Sequence, residues 1–464
     1  MNALTLPVNI DSFVDKLDSN SITELESLNA RYSDFKKQLK DLNRDKGILS
    51  RRIGEAKKSN SKDEEAIAEI KKVSASIKAI NASVSELKAE IEALVSKPKA
   101  EPEPSLPGHF SPFVYAKNES PAFEVVSFSD EGAEKWNSFV DKHPNSCIYH
   151  RYEFRKIIET SFGHNCVYLA AVGSGGDILG VLPSVQINSR IFGNYFVSIP
   201  MFNYAGPLAE SEAIEIALVD KACEKAVELE ASHVELRDTR PRDNYVQKTS
   251  KYSLTLPLPR EIEQLWGDLG SKVRAQIKRS EPFNLVFKAG GEELLDDFYK
   301  VFSINMRDLG TPVYSKSFFR NILRCDSLSQ WLTVVYYNNE PVSCGFLLGY
   351  KETMEIPWAS TLRSANKLNA NMFMYWHILK FSIEHKYKFF DFGRSTKDAG
   401  TYNFKKQWGA KPIPLYWHYW LKDGGDLPEL NPNNPKYRMA ISVWQKLPVW
   451  LTHIIGPPLV KNLP

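Results

Sequence analysis

Between residues 22 and 94, apolar side chains recur at alternating spacings of three and four. Leu25, Leu28, Tyr32, Phe35, Leu39, Leu42, Leu49 and Ile53 form one run, broken where Lys46 takes a seam position. Ile70, Val73, Ile77, Ile80, Val84, Leu87, Ile91 and Leu94 form a second run without a break. This period holds a narrow apolar seam on one side of a helix and predicts coiled-coil helices. Between the runs lies the polar stretch 54–62, G-E-A-K-K-S-N-S-K, a reversal after which Asp63 can restart a helix. The prediction is an antiparallel helical arm over residues 1–96. Residues 97–122 are proline-rich from Lys97 through Ala122 and predict a semi-extended linker on which the arm moves.

After residue 122 the pattern changes to short strand-like runs and longer helical ones, and the same order is read twice. In the first half, Val167–Val172, Ile178–Gln186 and Tyr195–Ile199 read as strands, Glu212–Leu229 as a helix and His233–Leu236 as another strand. In the second, Trp331–Tyr337, Val342–Gly349 and Met354–Pro357 read as strands, Ala370–His385 as a helix and Tyr387–Phe392 as the next strand. The halves also end alike, since Tyr252–Leu258 and Leu415–Leu421 both alternate like strands. A mixed sheet with helices packed on it, built twice, predicts an α/β (α+β) body of two lobes in tandem, residues 123–260 and 261–425, with an extension over 426–464.

A chain of 464 residues has room for about three such domains. Its net charge of +3 excludes a nucleic-acid signature spread over the whole chain. The local balance differs: from Arg31 to Lys62 there are eleven basic residues against four acidic, and from Asp63 to Leu94 four basic against seven acidic. A basic first helix and tip can track phosphates; a dimerisation or spacer coiled coil is the other reading. Cys147, Cys166, Cys223, Cys325 and Cys344 are scattered without C-x-x-C, which argues against a zinc site or a disulfide framework and fits a reducing cytoplasm. The N-terminus lacks a basic region followed by an apolar run, so neither secretion nor a membrane span is expected. The apolar run Val443–Leu459, interrupted by Pro448 and Gly456, is too short to span a bilayer and either packs on the body or rests peripherally at the inner face of a membrane.

The densest set of unusual residues is 391–412, D-F-G-R-S-T-K-D-A-G-T-Y-N-F-K-K-Q-W-G-A-K-P. A strand is expected to stop at Gly393, a polar loop to follow over Arg394, Ser395, Thr396, Lys397 and Asp398, and a helix opened by Gly400 or Thr401 to carry Tyr402, Lys405 and Lys406. Polar groups at the carboxyl end of a strand beside a helix N-terminus are a usual ligand site in α/β proteins, and a solvated surface turn is the plain alternative.

The pattern D-F-G-R-S followed by G-x-Y-x-F-K-x-x-W-G resembles the signature of Fem-type (FemAB-like) acyltransferases, nearest the branch associated with exopolysaccharide and exosortase gene clusters. The segments Phe298–Phe319, Ile356–Ala359 and Lys272–Lys278 match that branch as well, so the resemblance covers residues 123–455. It implies two GNAT-like halves and transfer of an amino acid from aminoacyl-tRNA to a cell-envelope precursor. It also implies that Lys405 acts in catalysis, with Tyr402 or Asp398 for proton transfer. Arg394, Ser395 and Trp358 would bind substrate, and Lys272, Arg274 and Lys278, along one probable helix, would hold phosphate of a phosphate-bearing or lipid-linked sugar or peptide acceptor. Separately, L-S-R-R-I-G-E-A-K-K and its acidic restart resemble the tRNA-binding arm of seryl-tRNA synthetase, over residues 22–95. That implies tRNA, serine-specific by the same likeness, as a partner of Arg44, Arg51, Arg52, Lys57 and Lys58.

Coenzyme A is the competing donor. GNAT proteins that use it carry a glycine-rich loop whose N–H groups hold the pyrophosphate. The matching segment Ser360–Asn371 has no glycine, and Pro207 removes a donor from Phe202–Pro207 in the first half. No cofactor is therefore expected. Two alternatives stay open: an acyl-CoA or acyl-carrier-protein transferase of exopolysaccharide assembly, and a catalytically inert tRNA-binding module.

Overall fold

The computed structural model describes residues 7, 19–58, 63–96, 106–113, 115, 121–190, 192–242, 245–422, 424, 427 and 435–463. The chain forms two compact units, one running to Ser105 and the other from Leu106.

The first unit is a pair of helices, α1 (Ser19–Lys58) and α2 (Glu64–Ser96). The ion pairs Arg31–Glu90 and Arg52–Asp63 run in opposite chain directions, so the pair is antiparallel. Leu25, Leu28 and Tyr32 meet Val84, Leu87, Ile91 and Leu94 in the seam, as the periodicity predicts. Asp63 Oδ1 accepts the Ala66 N–H and caps the start of α2. The expected reversal is narrower than 54–62, because α1 runs through Gly54 to Lys58; a lone helix-interior glycine costs only about 1 kcal/mol. Residues 59–62 lie outside the described residues.

The second unit begins earlier than expected. A 3₁₀ turn at Gly108–Phe110 buries His109 and Phe110, so part of the proline-rich stretch is packed rather than free. The remainder of that stretch, 97–105, 114 and 116–120, lies outside the described residues.

The first half then supplies β1 (Phe123–Ser127), α3 (Ala133–Lys142), α4 (Glu153–Phe162), β2 (Asn165–Cys166), β3 (Leu169–Gly173), β4 (Ile178–Leu182), β5 (Val185–Ser189), β6 (Gly193–Val197), β7 (Leu208–Ala209), α5 (Glu212–Glu228), β8 (His233–Asp238), β9 (Val246–Lys248) and β10 (Lys251–Pro257). The single strand expected over Ile178–Gln186 is two strands in different sheets, because Pro183 has no N–H to continue a ladder. The second half supplies α6 (Ile262–Asp268), α7 (Ser271–Lys278), β11 (Val286–Gly290), α8 (Leu295–Leu309), α9 (Lys316–Leu323), β12 (Ser329–Tyr337), β13 (Glu340–Tyr350), β14 (Thr353–Thr361), α10 (Ala370–Glu384), β15 (Phe389–Thr396), α11 (Gly400–Lys406), β16 (Lys411–Pro414) and β17 (Tyr416–Leu421).

These strands form sheets ordered β1-β3-β4-β7, β2-β5-β6-β8-β17-β9 and β11-β12-β13-β14-β15-β10-β16. The two like-patterned end strands are therefore exchanged. Strand β10, the last of the first half, pairs with β15 and β16 in the second lobe, and β17, the last of the second half, pairs with β8 and β9 in the first. The fold class is the expected α+β with two lobes after a helical arm.

Each lobe contains one parallel pair that is short. Strands β6 and β8 pair only at Phe196–Val197 with Val234–Glu235, and β14 and β15 only at Thr353–Glu355 with Phe389–Asp391. Beyond these residues the strands fork. One aromatic core spans both lobes, with Phe202 of the first against Trp358 and Phe318 of the second.

The extension forms α12 (Pro435–Trp444) and α13 (Val449–Val460). Helix α13 continues through Gly456, Pro457 and Pro458 instead of breaking there. Its buried residues Thr452, Gly456 and Val460 face the body, where Gly456 fits closely over Val313, while Trp450 and Ile454 are exposed. No described helix is long and apolar enough to cross a membrane.

The exchange makes a testable demand on β10. Leu254→Ala empties a fully buried position in the second lobe's core, and the expected loss is about 2–5 kcal/mol. Hydrogen exchange should then rise in β15 and β16 before β8 and β9, although Leu254 lies in the first half of the sequence.

Candidate active site

The fork between β14 and β15 opens at Glu355 and Asp391, the last pair held side by side, and both carboxylates are buried. Asp391 accepts hydrogen bonds from the Tyr204 hydroxyl at 2.7 Å, the Ser253 hydroxyl at 2.6 Å and the Gly393 N–H at 2.8 Å. Glu355 accepts one from Asn203 Nδ2 at 2.5 Å. Asn203 and Tyr204 come from the first lobe, Ser253 from the exchanged strand and Gly393 from the second lobe. The acid pair is thus held by every part of the body.

Burial drives both acids toward their neutral forms, and the Asp391 charge adds to the effect on Glu355, which is pushed up to about 8. The hydrogen bonds to Asp391 pull the other way, so Asp391 is the member better equipped to stay ionised. A cavity of about 200 Å³ reaches Glu355 between Gly108, His109, Cys147, Tyr204 and Lys351.

Lys405 projects from α11 to the same fork. Its ammonium donates to the Gly393 carbonyl at 2.9 Å and the Arg394 carbonyl at 3.1 Å. Two consecutive carbonyls are available because the β10–β15 register shifts here: Ser253 faces Arg394 and Thr255 faces Asp391, with Gly393 at φ 73°. A bulge of this kind re-aims groups beside a site, and its positive φ suits glycine. Burial lowers Lys405 to about 8, with Asp391 and Glu355 opposing the shift and Arg394 reinforcing it. An ammonium has three donors, so one N–H remains beyond the two carbonyls.

The motif was expected to leave its strand at Gly393, but β15 continues to Thr396 and only the glycine's positive φ matches that expectation. The reason is β10, which the exchange places alongside Lys251↔Thr396 to Ser253↔Arg394. Arg394 and Ser395 are therefore strand residues. The Ser395 hydroxyl is buried without a hydrogen-bond partner. Tyr402 is buried on α11 with its ring edge toward Tyr252, whereas Asp398 is exposed at φ 61° and offers its carbonyl to Asn403. Trp358 is set in the aromatic core among Phe202, Tyr314, Phe318, Phe319 and Phe346.

Lys272, Arg274 and Lys278 do lie on one helix, α7, whose Val273 and Ile277 are buried. Lys272 and Arg274, two positions apart, point in different directions. Arg274 donates to the carbonyls of Trp266 and Gly267, and Lys272 and Lys278 are exposed. Among the described residues, no hydrogen bond or ion pair links the three to the Lys405 group.

Sequence reasoning passed over Glu355, Asp391, Asn203, Tyr204 and Arg237. A signal existed for three of them: a charged residue inside an apolar strand, as in M-E-I-P, F-F-D-F and V-E-L-R-D, has to be paired or used. Arg237 is fully buried; it donates to Glu235 at 2.8 Å and to the carbonyls of Ile199 and Phe202.

On the arm, Arg44, Arg51, Arg52, Lys57 and Lys58 are all exposed on α1. Arg44 faces Asp41 and Asp45 only at 3.7 and 3.6 Å, and Lys57 and Lys58 stand in the last helical turn.

Residues 271–406 match the family described as acetyltransferase (GNAT) domain, and residues 8–97 match the seryl-tRNA synthetase N-terminal domain. The chain therefore carries an acyltransferase domain of the GNAT type behind a seryl-tRNA-synthetase-like arm. No curated protein matches the chain. Solved structures with a similar fold include FemX, at 14% identity and TM-score 0.48 over 68% of this chain and 100% of that one. L-PGS from Bacillus licheniformis is 13% identical at TM-score 0.43, over 70% and 96%. A tandem GNAT protein from the clavulanic acid biosynthesis pathway is 12% identical at TM-score 0.44, over 66% and 100%.

The raised Glu355 makes a pH prediction. In the folded chain it keeps its proton up to about pH 8, whereas the ordinary value is 4.5. Between those values the folded state binds more protons than the unfolded one, so stability falls as pH rises. Glu355→Gln keeps an acceptor for Asn203 and cannot ionise. Denaturant unfolding at pH 5 and pH 8 should show the variant gaining on wild type by roughly 3–4 kcal/mol across that interval. An equal pH dependence in both proteins would mean that Glu355 is ionised throughout.

Proposed function

We propose that the protein is an aminoacyltransferase that moves an amino acid, serine by the arm's likeness, from aminoacyl-tRNA to an amine or hydroxyl of an envelope or polysaccharide precursor. The observation that carries this reading is the union, in one chain, of an arm similar to the seryl-tRNA synthetase N-terminal domain with a GNAT-type acyltransferase domain. An arm of that kind, with five exposed basic residues on one helix, suits a long phosphate backbone.

The donor loops support the same reading. After β14 the chain forms a 3₁₀ turn, Arg363–Leu368, and Asn369 at φ 53° leads into α10 without a glycine. In the first half, Asn203 and Tyr204 spend their side chains on Glu355 and Asp391. Neither loop carries the glycine-rich run that usually presents an N–H cradle to a pyrophosphate.

Chemically, an aminoacyl ester is already activated, and its transfer needs positioning and a charge opposite the developing oxyanion. Lys405 fills the second role: two of its hydrogens are fixed on carbonyls, which orients the third. Asp391 holds the fork and the lysine's charge, and Arg394 binds an anionic part of the substrate. Tyr402 or Asp398 would move the proton, and Ser395 and Trp358 would line the substrate's path. Lys272, Arg274 and Lys278, on a separate helix, would meet a phosphate of the acceptor outside this fork. The exposed Trp450 and Ile454 on α13 offer a peripheral contact for a lipid-linked acceptor at the inner face of a membrane.

Presenting the protein with total aminoacylated tRNA, each amino acid labelled in turn, tests the reading directly. Release and transfer of one labelled amino acid supports it. Binding of long-variable-arm tRNA without transfer would make the protein a binding module, and consumption of acyl thioesters with indifference to tRNA would make it a thioester-dependent transferase of polysaccharide assembly.

Two variants separate grip from chemistry. Lys405→Met should lower turnover by about a hundredfold or more, the scale of losing one oxyanion partner, with tRNA affinity unchanged. Replacing Arg44, Arg51, Arg52, Lys57 and Lys58 together by Gln should weaken tRNA binding and flatten its salt dependence by about 0.7–0.9 per lost phosphate contact. The helix pair should survive, since all five side chains are exposed.

A further inference from the structure

Arg394 is a half-buried cation without a counterion among the described residues. Among the described residues its guanidinium makes no hydrogen bond or ion pair, and its Nη1 is sealed from water without a partner. Arg237 lies close by from β8 of the first lobe. Its Nε and Nη1 are satisfied, yet its Nη2 is also buried without a partner. Both guanidiniums rest on the indole of Trp417, at 4.6 Å for Arg237 and 5.2 Å for Arg394. The indole Nε1–H is likewise buried and unpartnered. Three elements thus contribute three unsatisfied groups around one ring, and all three are donors.

Leaving such groups unpaired is costly. A buried donor without a partner costs about 1–3 kcal/mol, and more when it is charged. Burial, reinforced by the charge of Arg237, lowers Arg394 to about 10. The local charge count says what is missing. Glu235 neutralises Arg237 at 2.8 Å and also accepts from the Tyr419 hydroxyl, so it is already committed. Lys405 stands against Asp391 and Glu355. With Glu355 keeping its proton up to about pH 8, Asp391 alone balances Lys405, and one positive charge, on Arg394, is left over.

We propose that Arg237, Arg394 and the Trp417 indole N–H form a binding site, shared between the lobes, for one singly charged oxyanion of the substrate: a carboxylate or a phosphodiester. The donor set fits such a group, because guanidinium edges and an N–H bind oxygen acceptors and none of the three offers an acceptor. Tyr314 lies within electrostatic reach of both arginines and adds a phenol at the margin. The site joins Arg237 of β8, Trp417 of the exchanged strand β17 and Arg394 of β15. It therefore exists only when the two lobes are correctly assembled. Occupancy would supply the missing charge three residues along the strand from Asp391 and the fork.

The proposal rests on reading Arg394 as a substrate-binding residue, and its test needs neither tRNA nor an acyl donor. The full chain is melted at constant ionic strength while chloride is exchanged for acetate or for dimethyl phosphate. A saturable rise of about 2 °C or more with either probe supports the site. Acetate alone points to a carboxylate, dimethyl phosphate alone to a phosphodiester, and no response to either overturns the proposal. Arg394→Met should abolish the response and, without a probe, melt at or above wild type because an unpaired, half-buried cation has gone. A variant that still responds would remove Arg394 from the site, and one that melts lower without a probe would show that Arg394 is structural; either overturns the proposal. Trp417→Phe keeps the ring and removes the donor, and it should weaken the response at least threefold; an unchanged response removes the indole from the site. If the anion response holds while aminoacyl transfer fails, only the proposed donor chemistry falls.

Discussion

Each lobe of the body borrows a strand from the other half of the chain, and the rest of the architecture depends on that exchange. Strand β10 lies between β15 and β16, and β17 lies between β8 and β9. Neither lobe can complete its ladder until both halves are present, which ties two sheets into one cooperative object. Sheet pairing of this kind is non-local and directional, so it fixes the lobes in register far more tightly than side-chain packing alone. The aromatic core from Phe202 to Trp358 and Phe318 then fills the space that the exchange encloses.

The fork at Glu355 and Asp391 is where this assembly becomes chemical. Parallel pairing ends there, and the first lobe inserts Asn203 and Tyr204 to receive the two carboxylates. Lys405 closes the group from α11 by taking the carbonyls of the bulge. Buried charges are tolerated when they are hydrogen-bonded and balanced, and here the balance crosses the lobe boundary. Arg394 stands outside that balance. The anion site proposed above would complete the balance at the junction.

The arm follows a simpler logic. Its stability comes from a seam of Leu, Ile, Val and Tyr between two helices, which leaves the outer faces free to carry charge. The imbalance between a basic α1 and an acidic α2 is therefore a choice the fold does not require. The same stretch is the one that matches the seryl-tRNA synthetase N-terminal domain.

Sequence alone determined the seam of the arm, the main strands and the helix of each half in their order, and the motif that ends on α11, although the run interrupted by Pro183 is two strands and not one. These are local properties, since a period of 3.5 or 2 is written in neighbouring residues. It also drew attention to Lys405 and Arg394 through the D-F-G-R-S to W-G pattern. What it could not determine was which sheet the two end strands would join. Tyr252–Leu258 and Leu415–Leu421 have the same alternation, and nothing in that alternation names a partner. For the same reason the local pattern points to a strand end at Gly393, whereas the neighbouring β10 carries β15 on to Thr396. The acid pair and Arg237 stayed hidden because a charged residue in a strand reveals only that it needs a partner. The partners lie about 150 residues or more away, at Asn203 for Glu355 and Tyr204 for Asp391, and only the tertiary structure brings them within 2.5 and 2.7 Å.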